Sequence, residues 1–229
     1  MSTNICKNNI KCAVFDLDGT LLNTINTITH YLNFALEKNG LAAVSADECK
    51  TFVGDGVRML LIRAIESRGE YTDELYERIF TDYNSAYDQN PNYLTEPYEG
   101  IGEMLSELRA AGLKLAVLSN KPHIATVGTI EATLPDIFDI VNGGKAGVPL
   151  KPDPTTLLET IAELGCTPDE CAYIGDSDVD VLTGRRAGVA LTVGVSWGYR
   201  SRKSLDAAGA DAIADTADEL FSLIFTKNT

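Results

Sequence analysis

Four short apolar runs lack polar alternation: Ala13-Val14-Phe15, Leu115-Ala116-Val117-Leu118, Ala172-Tyr173-Ile174 and Val189-Ala190-Leu191-Thr192-Val193. A strand with one wet face alternates apolar and polar residues, so runs of this kind suit strands buried on both faces of a parallel sheet. Weaker runs at Ile137-Phe138-Asp139-Ile140-Val141 and Ala212-Ile213 extend the set. Between them, apolar residues recur at helix spacing. One stripe is Ile101, Met104, Leu105 and Leu108, closed by Gly112; another is Leu157, Leu158, Ile161 and Leu164, between Pro154 and Gly165. Strand alternating with helix predicts an α/β fold, a doubly wound parallel sheet. With 229 residues, 45% of them hydrophobic, the chain can bury such a core and carry an insertion.

The insertion is legible as a break in rhythm. Residues 21–118 run from just past Asp16–Thr20, the segment that follows the first strand, to the end of the second strand, where a plain crossover needs only about a dozen residues. The excess reads as helix. Ile25, Ile28, Leu32, Ala35 and Leu36 form one stripe, closed by Asn39-Gly40. Val57, Leu60, Leu61, Ala64 and Ile65 form a second, and Leu75, Ile79 and Tyr83 a third. No further strand is evident in it. The predicted division is a core of residues 1–20 and 91–229 and an all-helical unit of residues 21–90.

A formal charge of −14 disfavours nucleic-acid and anionic-membrane partners, which would be repelled at long range. No apolar run is long enough to cross a bilayer. Met1–Lys11 is polar and reads as a short mobile leader without the apolar stretch of a signal peptide. The five cysteines are scattered and form no C-x-x-C pair, so neither a disulfide framework nor a zinc site is expected. A reducing, cytoplasmic setting suits them best.

The chemistry gathers at the predicted strand ends. Asp16-Leu17-Asp18-Gly19-Thr20 follows the first run. Two carboxylates so close repel and lose solvation, an arrangement a fold keeps when a cation or a reaction compensates. The plain alternative is an Asp-Gly turn ending a strand. Ser119-Asn120 follows the second run, Lys151-Pro152-Asp153-Pro154 precedes a helix, and Gly175-Asp176-Ser177-Asp178-Val179-Asp180 follows the third. Alone, each reads as a cap, a solvated charge or an acidic helix start. In this order they fall where a doubly wound sheet binds its ligands, outside the carboxyl ends of its strands.

With these motifs the chain resembles the haloacid dehalogenase-like (HAD) superfamily over nearly its whole length. The resemblance implies a Rossmann-like core with a C1 helical cap and phosphohydrolase activity. Phe52-Val53-Gly54-Asp55-Gly56, Leu118-Ser119-Asn120-Lys121-Pro122 and Val195-Ser196-Trp197-Gly198-Tyr199-Arg200 look like the phosphoglycolate phosphatases within it. The implied roles suit the residues chemically. Asp16 would attack phosphorus and Asp18 would act as acid and then base. Ser119 and Lys151 would stabilise the phosphoryl group, and Thr20 and Asn120 would contact substrate. Magnesium suits an all-oxygen site made of Asp16, the Asp18 carbonyl and Asp176. Asp180 belongs to the same metal site, from where it would orient waters or Lys151. Asn23 departs from the acidic residue many relatives carry at the cap hinge.

In the cap, Gly54 lies on a flexible loop able to reach the cleft, and Arg58 and Arg63 follow on a helix as candidate readers of a substrate carboxylate. A solvated helix face is the plainer reading of both arginines. Tyr71, Tyr76 and Tyr83 read as packing. His30 and His123 accompany no nucleophile elbow, which disfavours a Ser-His-Asp hydrolase. Asn142-Gly143-Gly144-Lys145-Ala146-Gly147 lacks Walker spacing and reads as a turn-rich connector. The expected partner is a small phosphate ester, best 2-phosphoglycolate, acted on by a monomer or homodimer. The rivals are pyrophosphate, nucleotide or sugar-phosphate hydrolysis, a phosphomutase, and a pseudoenzyme.

Overall fold

Strand β1 (Cys12–Phe15) is wholly buried and sits mid-sheet, because each of its four residues must face a hydrophobic layer. It pairs in parallel with β4 (Lys114–Pro122) on one side and β6 (Cys171–Gly175) on the other. With β5 (Ile140–Gly144), β7 (Leu191–Val195) and β8 (Ala212–Ala214) these form a six-stranded sheet in the order β5-β4-β1-β6-β7-β8. The computed structural model describes residues 10–225. The expected leader lies outside the described residues as far as residue 9. No described helix is long and apolar enough to cross a membrane.

Period-two geometry sends alternate residues of β1 to opposite faces. Ala13 and Phe15 join Leu115 and Val117 beneath α5 (Ile101–Ala110) and α10 (Ala217–Ile224). Cys12 and Val14 join Ala116 and Leu118 beneath α7 (Thr155–Glu163). The remaining core helices are α6 (His123–Thr133), α8 (Asp178–Ala187) and α9 (Arg202–Ala208).

Helices α1 (Ile25–Lys38), α2 (Ala46–Phe52), α3 (Gly56–Glu66) and α4 (Asp73–Tyr87) pack around a hydrophobic cluster of their own. Two details of the insertion differ from expectation. Leu21 and Leu22 pack into the core cluster, so the helical unit begins past them. A short ribbon of β2 (Leu22–Asn23) and β3 (Glu96–Pro97) also joins cap to core, pairing Leu22 with Pro97 and Asn23 with Glu96. Two residues are too few to show a period.

Strand limits shift as well. β4 runs on through Ser119 and Asn120, with an irregular register against β5 between Leu118 and Pro122. Irregularities of this kind re-aim side chains at a sheet's rim. β5 includes Gly143 and Gly144, which the sequence assigns to a connector. A Cβ at Gly143 would stand 2.4 Å from Thr126 Oγ1 and 2.7 Å from Lys121 O, so only glycine lets β5 lie this close to the end of β4 and the first turn of α6.

Leu105 is fully buried on α5, where it packs against the sheet. Leu105→Ala is expected to cost about 2–5 kcal/mol of unfolding free energy in urea titration. A loss under about 1 kcal/mol would contradict this packing.

Candidate active site

Three neighbouring strands, β4, β1 and β6, end side by side, and this adjacency assembles the site. Asp16 leaves β1 with its amide donating to Ile174 O at 2.9 Å, still within the sheet. The Lys151 ammonium lies 2.6 Å from Asp16 Oδ1, 2.7 Å from Asp180 Oδ1 and 3.2 Å from Leu118 O, and all three charged residues are buried. Burial would lower the lysine, but Asp16 and Asp180 hold it well above its ordinary range.

Asp180 spends both oxygens on the protein. Oδ1 accepts from Lys151 and from Tyr173 Oη at 3.2 Å, and Oδ2 accepts from the Ser177 amide at 3.1 Å and its hydroxyl at 2.5 Å. The last two contacts, with the Asp180 amide returning to Ser177 Oγ, make a capping box that fixes the start of α8. Asp180 is therefore the group that holds Lys151.

Asp176 keeps more of its lone pairs. It accepts from Thr20 Oγ1 at 3.2 Å and from the Tyr199 amide at 2.7 Å. Gly19 is required beside it: its φ is +89°, and a Cβ there would stand 2.4 Å from Asp176 Oδ2. Oxygens of Asp16, Asp176 and Asp180 lie within 4.8 Å of one another. These three buried carboxylates face one ammonium, Lys151, and leave two negative charges in excess. An all-oxygen donor set with that excess fits a hard dication such as Mg²⁺. Asp16 and Asp176, with oxygens to spare, are the side chains that would hold it.

Burial pushes Asp16 up to about 7, with Lys151 opposing and Asp180 reinforcing the rise. Burial likewise raises Asp176 well above the carboxylate range, helped by Asp180 and Asp16.

Asp18, one residue past Leu17, turns to another partner. Its Oδ1 lies 3.1 Å from Lys121 Nζ, and that ammonium sits 5.2 Å from the centre of the Tyr87 ring on α4. Lys121 thus ties the candidate acid–base to the cap. Ser119 is buried at the cleft floor, and its oxygen accepts from the Lys121 amide at 3.3 Å, which leaves the hydroxyl proton free to donate.

Four side chains expected to contact substrate have protein partners in this structure. Asn120 lines the cleft, but its Nδ2 donates to Gly54 O at 2.9 Å and Lys151 O at 3.1 Å, while Oδ1 accepts from the Lys151 amide at 2.8 Å. Its side chain therefore latches two loops and has nothing left for a phosphate. Thr20 holds Asp176 and is fully buried, away from the cleft lining. Arg63 donates to Phe52 O at 2.9 Å and Asp55 Oδ2 at 2.5 Å, bracing the loop that carries Gly54. Arg58 lies 5.7 Å over the Tyr76 ring, and neither arginine lines the cleft. Which face of α3 meets the cleft depends on cap docking, which helix periodicity does not encode. Gly54 does line it. Tyr83 packs in the cap and also lines the cleft. His123 accepts from the Gly143 amide at 3.2 Å, a structural contact.

Sequence reading assigned no role to Lys121 or Arg200, although both lie in stretches it singled out. Arg200 donates to Lys50 O and, at 2.7 Å, to Val53 O, and so clamps the cap loop. Its neighbour Tyr199 bonds Thr24 Oγ1 at 2.8 Å at the hinge.

Similarity to known proteins agrees with this geometry. The family model described as haloacid dehalogenase-like hydrolase matches residues 13–194. The phosphoglycolate phosphatase of Aquifex aeolicus is 33% identical over 191 residues, covering 83% of this chain and 86% of its own. That of Chromobacterium violaceum is 34% identical over 218 residues, covering 94% and 96%. The crystal structure of a predicted phosphoglycolate phosphatase from Haemophilus somnus superposes with a TM-score of 0.89 at 26% identity, covering 95% of this chain and 99% of that one.

A dication must displace whatever protons Asp16 and Asp176 hold. Because both are raised, the metal-free protein loses stability as pH climbs above the ordinary carboxylate range, through about 7 for Asp16, with Asp176 acting in the same direction. Mg²⁺ is therefore expected to raise the melting temperature more at pH 8 than at pH 5, read by calorimetry. Asp176→Asn should remove most of that gain. Equal gains at both pH values would show that metal and protons do not compete here.

Proposed function

The chain belongs to the haloacid dehalogenase-like hydrolase family, and we propose that it is a magnesium-dependent phosphomonoester hydrolase working through an aspartyl-phosphate on Asp16. One observation carries the reading. A buried ammonium holds Asp16 Oδ1 while the second acid, Asp18, is held apart by a lysine of its own.

In the first half-reaction the unpaired oxygen of Asp16 forms a bond to phosphorus as the ester oxygen leaves. Asp18 delivers a proton to that oxygen. Lys151 offsets charge gathering on Asp16 and the phosphoryl group, and the Ser119 hydroxyl donates to a phosphoryl oxygen. In the second half, water attacks phosphorus, Asp18 takes its proton and Asp16 is released as carboxylate. Held by Asp16, Asp176 and the Asp18 carbonyl, Mg²⁺ would supply positive charge against the phosphate dianion.

The relatives' names bring 2-phosphoglycolate forward as the first ester to assay. A carboxylate on the leaving group would be met by Lys121, the cleft cation nearest Asp18, and would compete with their 3.1 Å pair. Pyrophosphate, nucleotide and sugar phosphates belong on the same panel. A bisphosphate that primes turnover without net phosphate release would instead mark a phosphomutase.

Phosphate release from this panel is expected to need Mg²⁺ and to stop with EDTA. Asp16→Asn should fall to the uncatalysed level, and Asp18→Asn should lose about 10²–10⁴-fold in kcat. Turnover retained by folded Asp16→Asn would refute the nucleophile.

A further inference from the structure

The cleft that runs from the acids and Lys151 out beneath the cap has a volume of about 690 Å³. That is the size of a pocket for a drug-sized molecule, roughly 300–1,000 Å³, and more than a phosphoryl group and a two-carbon leaving group fill together. Its walls are apolar: Val57, Leu60, Phe80, Tyr83 and Tyr87 from the cap, and Ile124 from α6. Ile124 is 87% exposed, a large hydrophobic side chain left in water at the cleft wall.

The space is present with core and cap in contact. The Asn120–Gly54, Arg200–Val53, Lys121–Tyr87 and Tyr199–Thr24 contacts already join core to cap. Charge speaks against a second anion. Among the described residues, the lysines and arginines lining the cleft are Lys121, Lys151 and Arg200, and each is committed to protein oxygens. Five carboxylates line it as well, including Asp88.

Resting on the phosphatase reading, we infer that the preferred substrate is a phosphate monoester whose alcohol carries a hydrocarbon body, aliphatic or aromatic, larger than glycolate. The phosphate sits over Asp16. The body lies against α3, α4 and Ile124, where its transfer from water supplies binding energy in proportion to the apolar area covered.

Straight-chain alkyl phosphates from ethyl to octyl test this, because the leaving oxygen is chemically alike along the series. With Mg²⁺ present, kcat/KM is expected to climb about three- to four-fold per methylene, the equivalent of about 0.8 kcal/mol each. 2-Phosphoglycolate should fall below hexyl phosphate. Ile124→Ser, at an exposed position that folding tolerates, should flatten the slope, and Val57→Ser should flatten it further.

A flat series with 2-phosphoglycolate ahead would overturn the inference and leave the phosphatase reading intact. An unchanged slope in both variants would overturn the assigned wall. No Mg²⁺-dependent release from any ester above the Asp16→Asn blank would sink the phosphatase reading itself.

Discussion

The site depends on one ammonium buried among carboxylates. Lys151 is held by Asp16, Asp180 and the Leu118 carbonyl, so it ties together the ends of β1, β4 and the start of α8. A buried charge of this kind is stable only while its partners remain, and removing one typically costs about 3–5 kcal/mol. The surrounding design follows from that need. Ser177 and Tyr173 hold Asp180, and Asn120 holds the Lys151 backbone, so hydrogen bonds fix the chain on both sides of the ammonium.

The same cluster carries more negative charge than its lysine offsets. Keeping this excess buried costs stability that a bound dication would offset, and the raised Asp16 and Asp176 reflect that cost. Asp18 is kept out of the cluster. Its pairing with Lys121 separates the proposed acid–base from the proposed nucleophile two residues earlier in sequence, and the Tyr87 contact links Lys121 to the cap.

The buried strands were readable because two-sided burial needs unbroken apolar runs, and the cap because its helices repeat every few residues. The β2–β3 ribbon was not, since two residues carry no period. The apolar cleft wall was hidden too. Val57, Leu60 and Tyr83 form helix stripes that periodicity assigns to a core, and only docking of cap on core shows that part of each stripe faces the cleft.

What the sequence determined by itself is therefore local: which segments are strand or helix, and that Asp16, Ser119, Lys151 and Asp176 fall at the edges of core elements. Tertiary structure decided the partners. It gave Asn120 to the Gly54 loop, Thr20 to Asp176, Lys121 to Asp18, and turned Arg58 and Arg63 out of the cleft. The physical reason is range. Periodicity and capping act within a few residues, whereas these pairings close gaps as long as the 156 positions between Thr20 and Asp176 or the 103 between Asp18 and Lys121, and exist only once the sheet has brought its strand ends together.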